Sequence, residues 1–266
     1  MLTLIIAILA GLLCGFGAAH EWKLWWGIGC GVLGFMAAQL TVGLFLRGAI
    51  KRRQDRIQAI LQDAQQKINK QLNLFYIRPP SSQRAAQEVL EKIQNDAARK
   101  ALEATEAFQP LYIWNFMLKR QIAAMRAQLY FQLKEFKKAD ECLKTAWLND
   151  PQTMAIKLAR MYRNEDPALD KFDASKSGRA RGEGAAFLAS VYAWIKLKQG
   201  DEEAAREALT AATKKSDHPV LLENREKLLN GKAKQFSNAG FGDMWYALFL
   251  EEPRMKPQRQ RQGRPF

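Results

Sequence analysis

The stretch Gln128–Pro151, QLYFQLKEFKKADECLKTAWLNDP, decides how the soluble part of this 266-residue chain is read. Phe136, Ala139, Leu143 and Ala146 follow one another at steps of three and four, which places them on one face of a helix. Tyr130 takes the inward face of the helix before it, and Lys134 and Glu135 mark the point where the two helices meet. Pro151 closes the unit, because proline lacks the backbone donor that a continuing helix needs. The stretch predicts two short helices that bury a shared seam.

A second passage of this kind lies at Phe187–Lys215, FLASVYAWIKLKQGDEEAAREALTAATKK. Here Gly200 sits at the turn, Ala193 is in the first helix, and Ala205, Leu209 and Ala212 are on the second. The pair of passages resembles the tetratricopeptide repeat, whose 34-residue unit is a helix, a short turn and a second helix. Ala127, Tyr130, Phe136, Ala139, Ala146 and Pro151 fall on the family's small, aromatic and proline positions. Small residues belong where two helices and the next repeat approach most closely. Lys134 stands where the family has glycine, and Ala123 stands where it has a repeat-start aromatic. Ala139 and Ala205 are 66 residues apart, close to two periods, so a degenerate unit is expected between them. TMAIKLARMYRNEDPALDKF supplies its first helix, and DASKSGRARGEG (Asp173–Gly184) is a polar loop in place of its second. The resemblance implies a concave groove lined by first helices, with Gln121, Gln128, Phe131 and Gln132 from one repeat. From the other it implies Phe187, Ser190, Trp194 and Lys198, and for Phe187 and Trp194 ordinary packing accounts for the residue equally well.

Working toward the amino end, RPPSSQ (Arg78–Gln83) breaks the chain with two prolines and offers serines as helix N-caps. Before it, Ala49–Leu74 carries Ile57, Leu61, Ala64, Ile68 and Leu72 as one apolar stripe on a polar helix. This stalk is expected to pack on the domain or on a second copy of the chain. Further upstream, Met1–Ala19 and Gly27–Leu46 contain no ionisable side chain, and each is close to the ~20 residues that span a bilayer. Between them HEWKLWW (His20–Trp26) is polar and rich in tryptophan, as a turn at the headgroup level would be. A cleaved signal peptide fits less well, since no Lys or Arg precedes the first apolar run. Gly11, Gly15, Gly27 and Gly31 would let the two spans approach, with Gly15 expected opposite Gly29 and Cys14 at the depth of Cys30. Arg47, Lys51, Arg52, Arg53 and Arg56 follow the second span, so both termini are expected on the cytoplasmic side, in a bacterial inner membrane. A hairpin followed by repeats is also similar in outline to a bacterial inner-membrane family named for haem synthesis.

Toward the carboxyl end, HPVLLENREKLLNG predicts a helix with Gly231 as its C-cap, and FGDMWYALFLEEP (Phe241–Pro253) predicts a short apolar helix capping the array. The tail beyond is basic and poor in apolar residues, so Arg254, Lys256, Arg259, Arg261 and Arg264 are expected on an anionic surface together with Arg52 and Arg53. Ser175, Ser177, Arg179 and Arg181 offer phosphate donors in the central loop, although a solvated excursion explains them more simply. The 41 Lys and Arg against 27 Asp and Glu give a net charge of +14, which attracts lipid headgroups or nucleic acid. Three cysteines and two distant histidines, without a nucleophile, phosphate-loop or metal motif, point away from catalysis, cofactors and a metal site. The expected architecture is all-α: a transmembrane hairpin (1–47), a helical stalk (48–78), a TPR-like α-solenoid (79–252) and a basic tail (253–266). The expected function is an adaptor that binds a protein partner at the cytoplasmic face of a membrane, with anionic lipid as a second partner. The alternative is an RNA- or ribosome-associated membrane protein.

Overall fold

A computed structural model describes residues 2–21, 24–169 and 182–252, and every regular element among them is helical. The chain divides into two compact units between Trp147 and Leu148. The first contains α1 (Leu2–Glu21), α2 (Leu24–Ile77), α3 (Gln83–Glu106), α4 (Phe116–Gln132) and α5 (Phe136–Thr145). The second contains α6 (Pro151–Arg163), α7 (Glu183–Gln199), α8 (Glu202–Thr213), α9 (Pro219–Leu229) and the single turn α10 (Asp243–Tyr246).

In the first unit, α1 and α2 run antiparallel, and both are long and apolar enough to cross a membrane. Helix α2 has 54 residues without a break, about 80 Å at 1.5 Å per residue, so the second apolar run and the stalk are one rod. Its apolar run does not stop at a domain boundary. Leu46 is buried, and Val42, Ala49 and Ile50 pack partly covered in a cluster with Ala98, Ala101, Phe108, Leu118 and Ile122. Farther along, Ile57, Ala64 and Ile68 are buried on the side where α3 lies, while Leu61 and Leu72 keep 43% and 41% exposure. The stalk stripe is therefore partly covered by the chain itself. Residues 78–82 interrupt the helix but not the unit, because α3 folds back along α2. The Ser82 hydroxyl accepts from Ala85 N at 3.1 Å to cap α3. Arg53 of α2 donates from Nε to the Ala107 carbonyl at 2.8 Å, placing a cation on the negative end of α3.

Proline suits the first turn of a helix, so the sequence predicts the next helix to start at Pro110. Instead it sits in a one-turn 3-10 helix, Gln109–Leu111, and α4 begins at Phe116 with Asn115 as its cap. The connection between α4 and α5 falls where Lys134 and Glu135 predict it. Lys134 has φ 60, its amide donates to Phe131 O at 3.0 Å, and Glu135 N donates to Tyr130 O at 2.9 Å. This pair of bonds with a left-handed residue between helices is a Schellman ending.

The same ending recurs down the chain. Glu165 (φ 52), Gly200 (φ 86) and Gly231 (φ 66) each donate to the carbonyl three residues back. Each following residue reaches back five: Asp166 to Met161, Asp201 to Lys196, and Lys232 to Lys227. The four helices α4, α6, α7 and α9 thus terminate alike, at intervals of 31, 35 and 31 residues.

The second unit is built on α7, which is buried continuously from Ala186 to Lys196. Helices α6, α8 and α9 pack on it. Ala193, Ala205 and Leu209 are fully buried, so the alanines stand where α7 and α8 touch. Of the loop expected over Asp173–Gly184, residues 173–181 lie outside the described residues, and α7 already begins at Glu183. The apolar helix expected over Phe241–Pro253 is reduced to α10 and a turn in which Phe249 has φ 52. Trp245, Leu248 and Leu250 of this segment are buried.

Candidate functional site

Three surfaces hold the residues singled out above. The first is the hairpin. A Cβ built on Gly11 would stand 2.9 Å from Gly31 O, one on Gly15 3.1 Å from Gly27 O, and one on Gly27 2.6 Å from the Ala19 Cβ. Side chains at these positions would force the helices apart, so the four glycines Gly11, Gly15, Gly27 and Gly31 form one close seam. The register differs from the expectation. Gly15 faces Gly27 and Gly31, Cys14 faces Gly34, and Gly29 meets nothing within 4 Å. Gly29 is two residues from both Gly27 and Gly31, so a helix of 3.6 residues per turn carries it to another side. Cys14 and Cys30 are both free thiols. Around the seam, the large apolar side chains are uncovered: Leu13 is 74% exposed, Phe16 75% and Trp25 84%.

The second surface is basic. Arg52 is exposed, whereas Arg53 is turned onto the fold, bonding Ala107 O through Nε and Ala49 O through Nη1 at 3.0 Å. A helix C-terminus thus supplies an acceptor to Arg53 within the fold. Arg254, Lys256, Arg259, Arg261 and Arg264 lie outside the described residues, as do Ser175, Ser177, Arg179 and Arg181.

The third is the expected groove. On α4, Gln121 and Gln132 are exposed and Gln128 is half-buried, but Phe131 is buried with its ring edge-on to Phe136 at 5.5 Å. Lys198 on α7 is exposed, with its ammonium 5.2 Å over the Trp194 ring. Phe187, Ser190 and Trp194 are 0%, 0% and 6% exposed, so they are not open to a partner. The chain's own C-terminal segment covers them. The Phe187 ring meets Phe241 at 5.4 Å, the Ser190 carbonyl accepts from Asn238 Nδ2 at 2.9 Å, and Trp194 meets Trp245 at 5.4 Å. Both indoles donate to one carboxylate, Trp194 to Glu251 Oε1 at 2.7 Å and Trp245 to Oε2 at 3.1 Å. The three residues share one helix face, as the spacing predicts, and that face is occupied from within the second unit.

Among the described residues the titratable groups form no reactive constellation. Burial pushes the Cys142 thiol up, which keeps it protonated and a poor nucleophile at neutral pH. The Lys67 and Lys138 ammonium groups hold Asp63 and Glu135 below the usual carboxylate range, at exposed helix pairs. Among the described residues no group of three or more His, Cys, Asp or Glu side chains could hold a metal ion. His218 caps α9, accepting at Nδ1 from Val220 N at 3.3 Å, and stacks on Phe241. Sequence reasoning missed one feature. The loop after α3 places Trp114 and Asn115 beside the start of α1 and the basic end of the second apolar run, around a crevice of 410 Å³. Its only local signal is a tryptophan in a short turn.

No family model, no curated protein and no solved structure matches the chain.

Proposed function

We propose that the chain is a two-span membrane anchor carrying a TPR-like helical-repeat adaptor, with both termini and both soluble surfaces on the cytoplasmic side. The observation that carries the anchor is the uncovered apolar surface of α1 and α2. A helix of a soluble core would be mostly buried, but in the apolar windows of these two only 11% and 0% of residues are. In water such a surface is strongly unfavourable, at about 25 cal/mol per Å² of apolar area. In a bilayer it needs no further partner. The basic residues Arg47, Lys51, Arg52 and Arg56 follow the second run and favour the inside. The repeat reading is supported by the four Schellman endings at intervals of 31 to 35 residues, close to the tetratricopeptide period.

The adaptor acts through binding. Its partner surface is the α4 face bearing Gln121, Gln128 and Gln132, since the corresponding face of α7 is filled internally. Anionic lipid holds the basic flank, and binding of a protein partner there aids assembly or stability of a membrane complex. The net charge of +14 favours a second reading, an RNA- or ribosome-associated protein, whose signature is a steep loss of RNA binding with salt.

Reporter fusions test the anchor. A reporter after Phe266 is expected to behave as cytoplasmic and one inserted at Trp22 as external, and the reverse pattern overturns the orientation. Crosslinking and capture from membranes with the tagged full chain tests the adaptor. Gln128→Glu with Gln132→Glu is expected to weaken capture about tenfold while the helical content stays unchanged. Undiminished capture by this pair removes the α4 face from consideration.

A further inference from the structure

Helix α1 begins beside the point where α2 leaves its apolar run, and Leu2 N donates to the Ile113 carbonyl at 3.4 Å, tying that start to the loop before α4. The crevice between them has two kinds of wall. Leu4, Gly43 and Leu46 form an apolar side, while Arg47, Trp114 and Asn115 form a polar and aromatic rim. Arg47 is the first basic residue after the second apolar run, so the crevice straddles the depth at which hydrocarbon gives way to headgroups. Tryptophan prefers that depth. No carboxylate lines the crevice, and Arg47 is exposed and makes no hydrogen bond or ion pair among the described residues. Asn115 uses Oδ1 to cap α4, accepting from Met117 N at 3.0 Å, which leaves its amide donors for another acceptor. Its 410 Å³ falls within the ~300–1,000 Å³ of ordinary ligand clefts.

We propose that this crevice seats one anionic phospholipid, with its phosphate on Arg47 and an acyl chain along Leu4, Gly43 and Leu46. The proposal rests on the membrane reading of the hairpin. A guanidinium matches phosphate with two parallel N–H donors, and an anionic headgroup is drawn further by Lys51 and Arg52 in the next turn. A second copy of the chain would cover the apolar wall but bring no anion that its sequence places there. A soluble phosphate would satisfy Arg47 and leave the apolar wall unused. A lipid satisfies both.

Native mass spectrometry of the delipidated full-length protein in detergent, with phosphatidylglycerol or phosphatidylcholine added, tests this. Wild type is expected to retain one phosphatidylglycerol in preference to phosphatidylcholine, and Arg47→Gln to lower that retention about tenfold. Gly43→Leu fills the crevice, where an added Cβ meets nothing within 4 Å, and is expected to lower it similarly without disturbing the helices. Arg84→Gln, which removes one positive charge far from the crevice, is expected to change little. Equal retention of the two lipids overturns the site, as does equal loss in Arg47→Gln and Arg84→Gln, or displacement by millimolar glycerol phosphate. Alkaline extraction of the membranes separates the two ideas. Protein that stays in the bilayer but shows no headgroup preference removes the lipid site alone, and protein released by alkali removes the anchor with it.

Discussion

At the scale of single residues, Lys134 shows how a helix ending tolerates a side chain where glycine is preferred. Its φ of 60 is the region where an L side chain costs ~1–2 kcal/mol, and glycine avoids that cost. Gly200 holds the equivalent place at the end of α7 at φ 86, with open space around its missing Cβ, so only the backbone decides between the two residues. Lys134 gains a partial offset from an ion pair with Glu91 at 2.6 Å, but both side chains are about half exposed and such pairs contribute ~0–1 kcal/mol. Lys134→Gly is therefore expected to raise unfolding stability by about 0.5 to 1 kcal/mol, and Gly200→Ala to lower it by about 1 kcal/mol. Denaturant unfolding of the detergent-solubilised protein checks both, with Glu91→Gln to isolate the ion pair. Loss of stability in Lys134→Gly would show that the pair, not the backbone, governs this turn.

At the scale of elements, α7 explains why a face that reads as a groove is closed. A helix buried continuously from Ala186 to Lys196 needs cover on every side, and α6, α8 and α9 leave one face for the segment after Ser237. That segment is mostly irregular, so its hold depends on side chains: Asn238 on the Ser190 carbonyl, Phe241 on Phe187, and Trp245 on Trp194. Glu251 completes it by accepting from two buried indoles at once. Glu251→Ala leaves both N–H groups without an acceptor, and at ~1–3 kcal/mol for each unsatisfied buried donor the second unit should lose about 2 to 6 kcal/mol. Glu251→Gln keeps one side-chain oxygen and should lose roughly half as much. The check is the unfolding midpoint read by tryptophan fluorescence. Equal effects of the two substitutions would show that the carboxylate acts by charge rather than as a double acceptor.

At the scale of the whole molecule, the sequence reveals most of the helices and fewer of their partners. The steps of three and four at Phe136, Ala139 and Leu143 locate a helix, and the 66-residue interval to Ala205 reflects real spacing of the turns at Lys134 and Gly200. Periodicity says which face is apolar but not what covers it, and so Phe187, Ser190 and Trp194 share a face as expected while their cover comes from residues 238–251. Crevices made by distant segments, such as Trp114 beside Arg47, leave no periodic pattern and only a tryptophan in a turn as a local signal. The stalk meets the same limit, and the position of a boundary depends on it. Its stripe is compatible with the domain or a second copy, and RPPSSQ suggests a domain starting at residue 79. In the structure Ile57, Ala64 and Ile68 are buried where α3 packs, Ala97, Ala98 and Ala101 are buried on α3, and Arg53 holds the Ala107 carbonyl. A fragment starting at 79 would expose that alanine face to water, whereas one starting at 48 keeps the stripe and the Arg53 bond. Each buried Ile contributes ~1.5–3 kcal/mol, a large part of the margin of an ordinary domain. The fragment 48–252 is expected to unfold with a distinctly higher midpoint for its first unit than 79–252, with the transition of the second unit the same in both. Thermal unfolding followed by circular dichroism makes the comparison, and identical midpoints for the two fragments would return the boundary to residue 79 and release the stalk stripe for another chain.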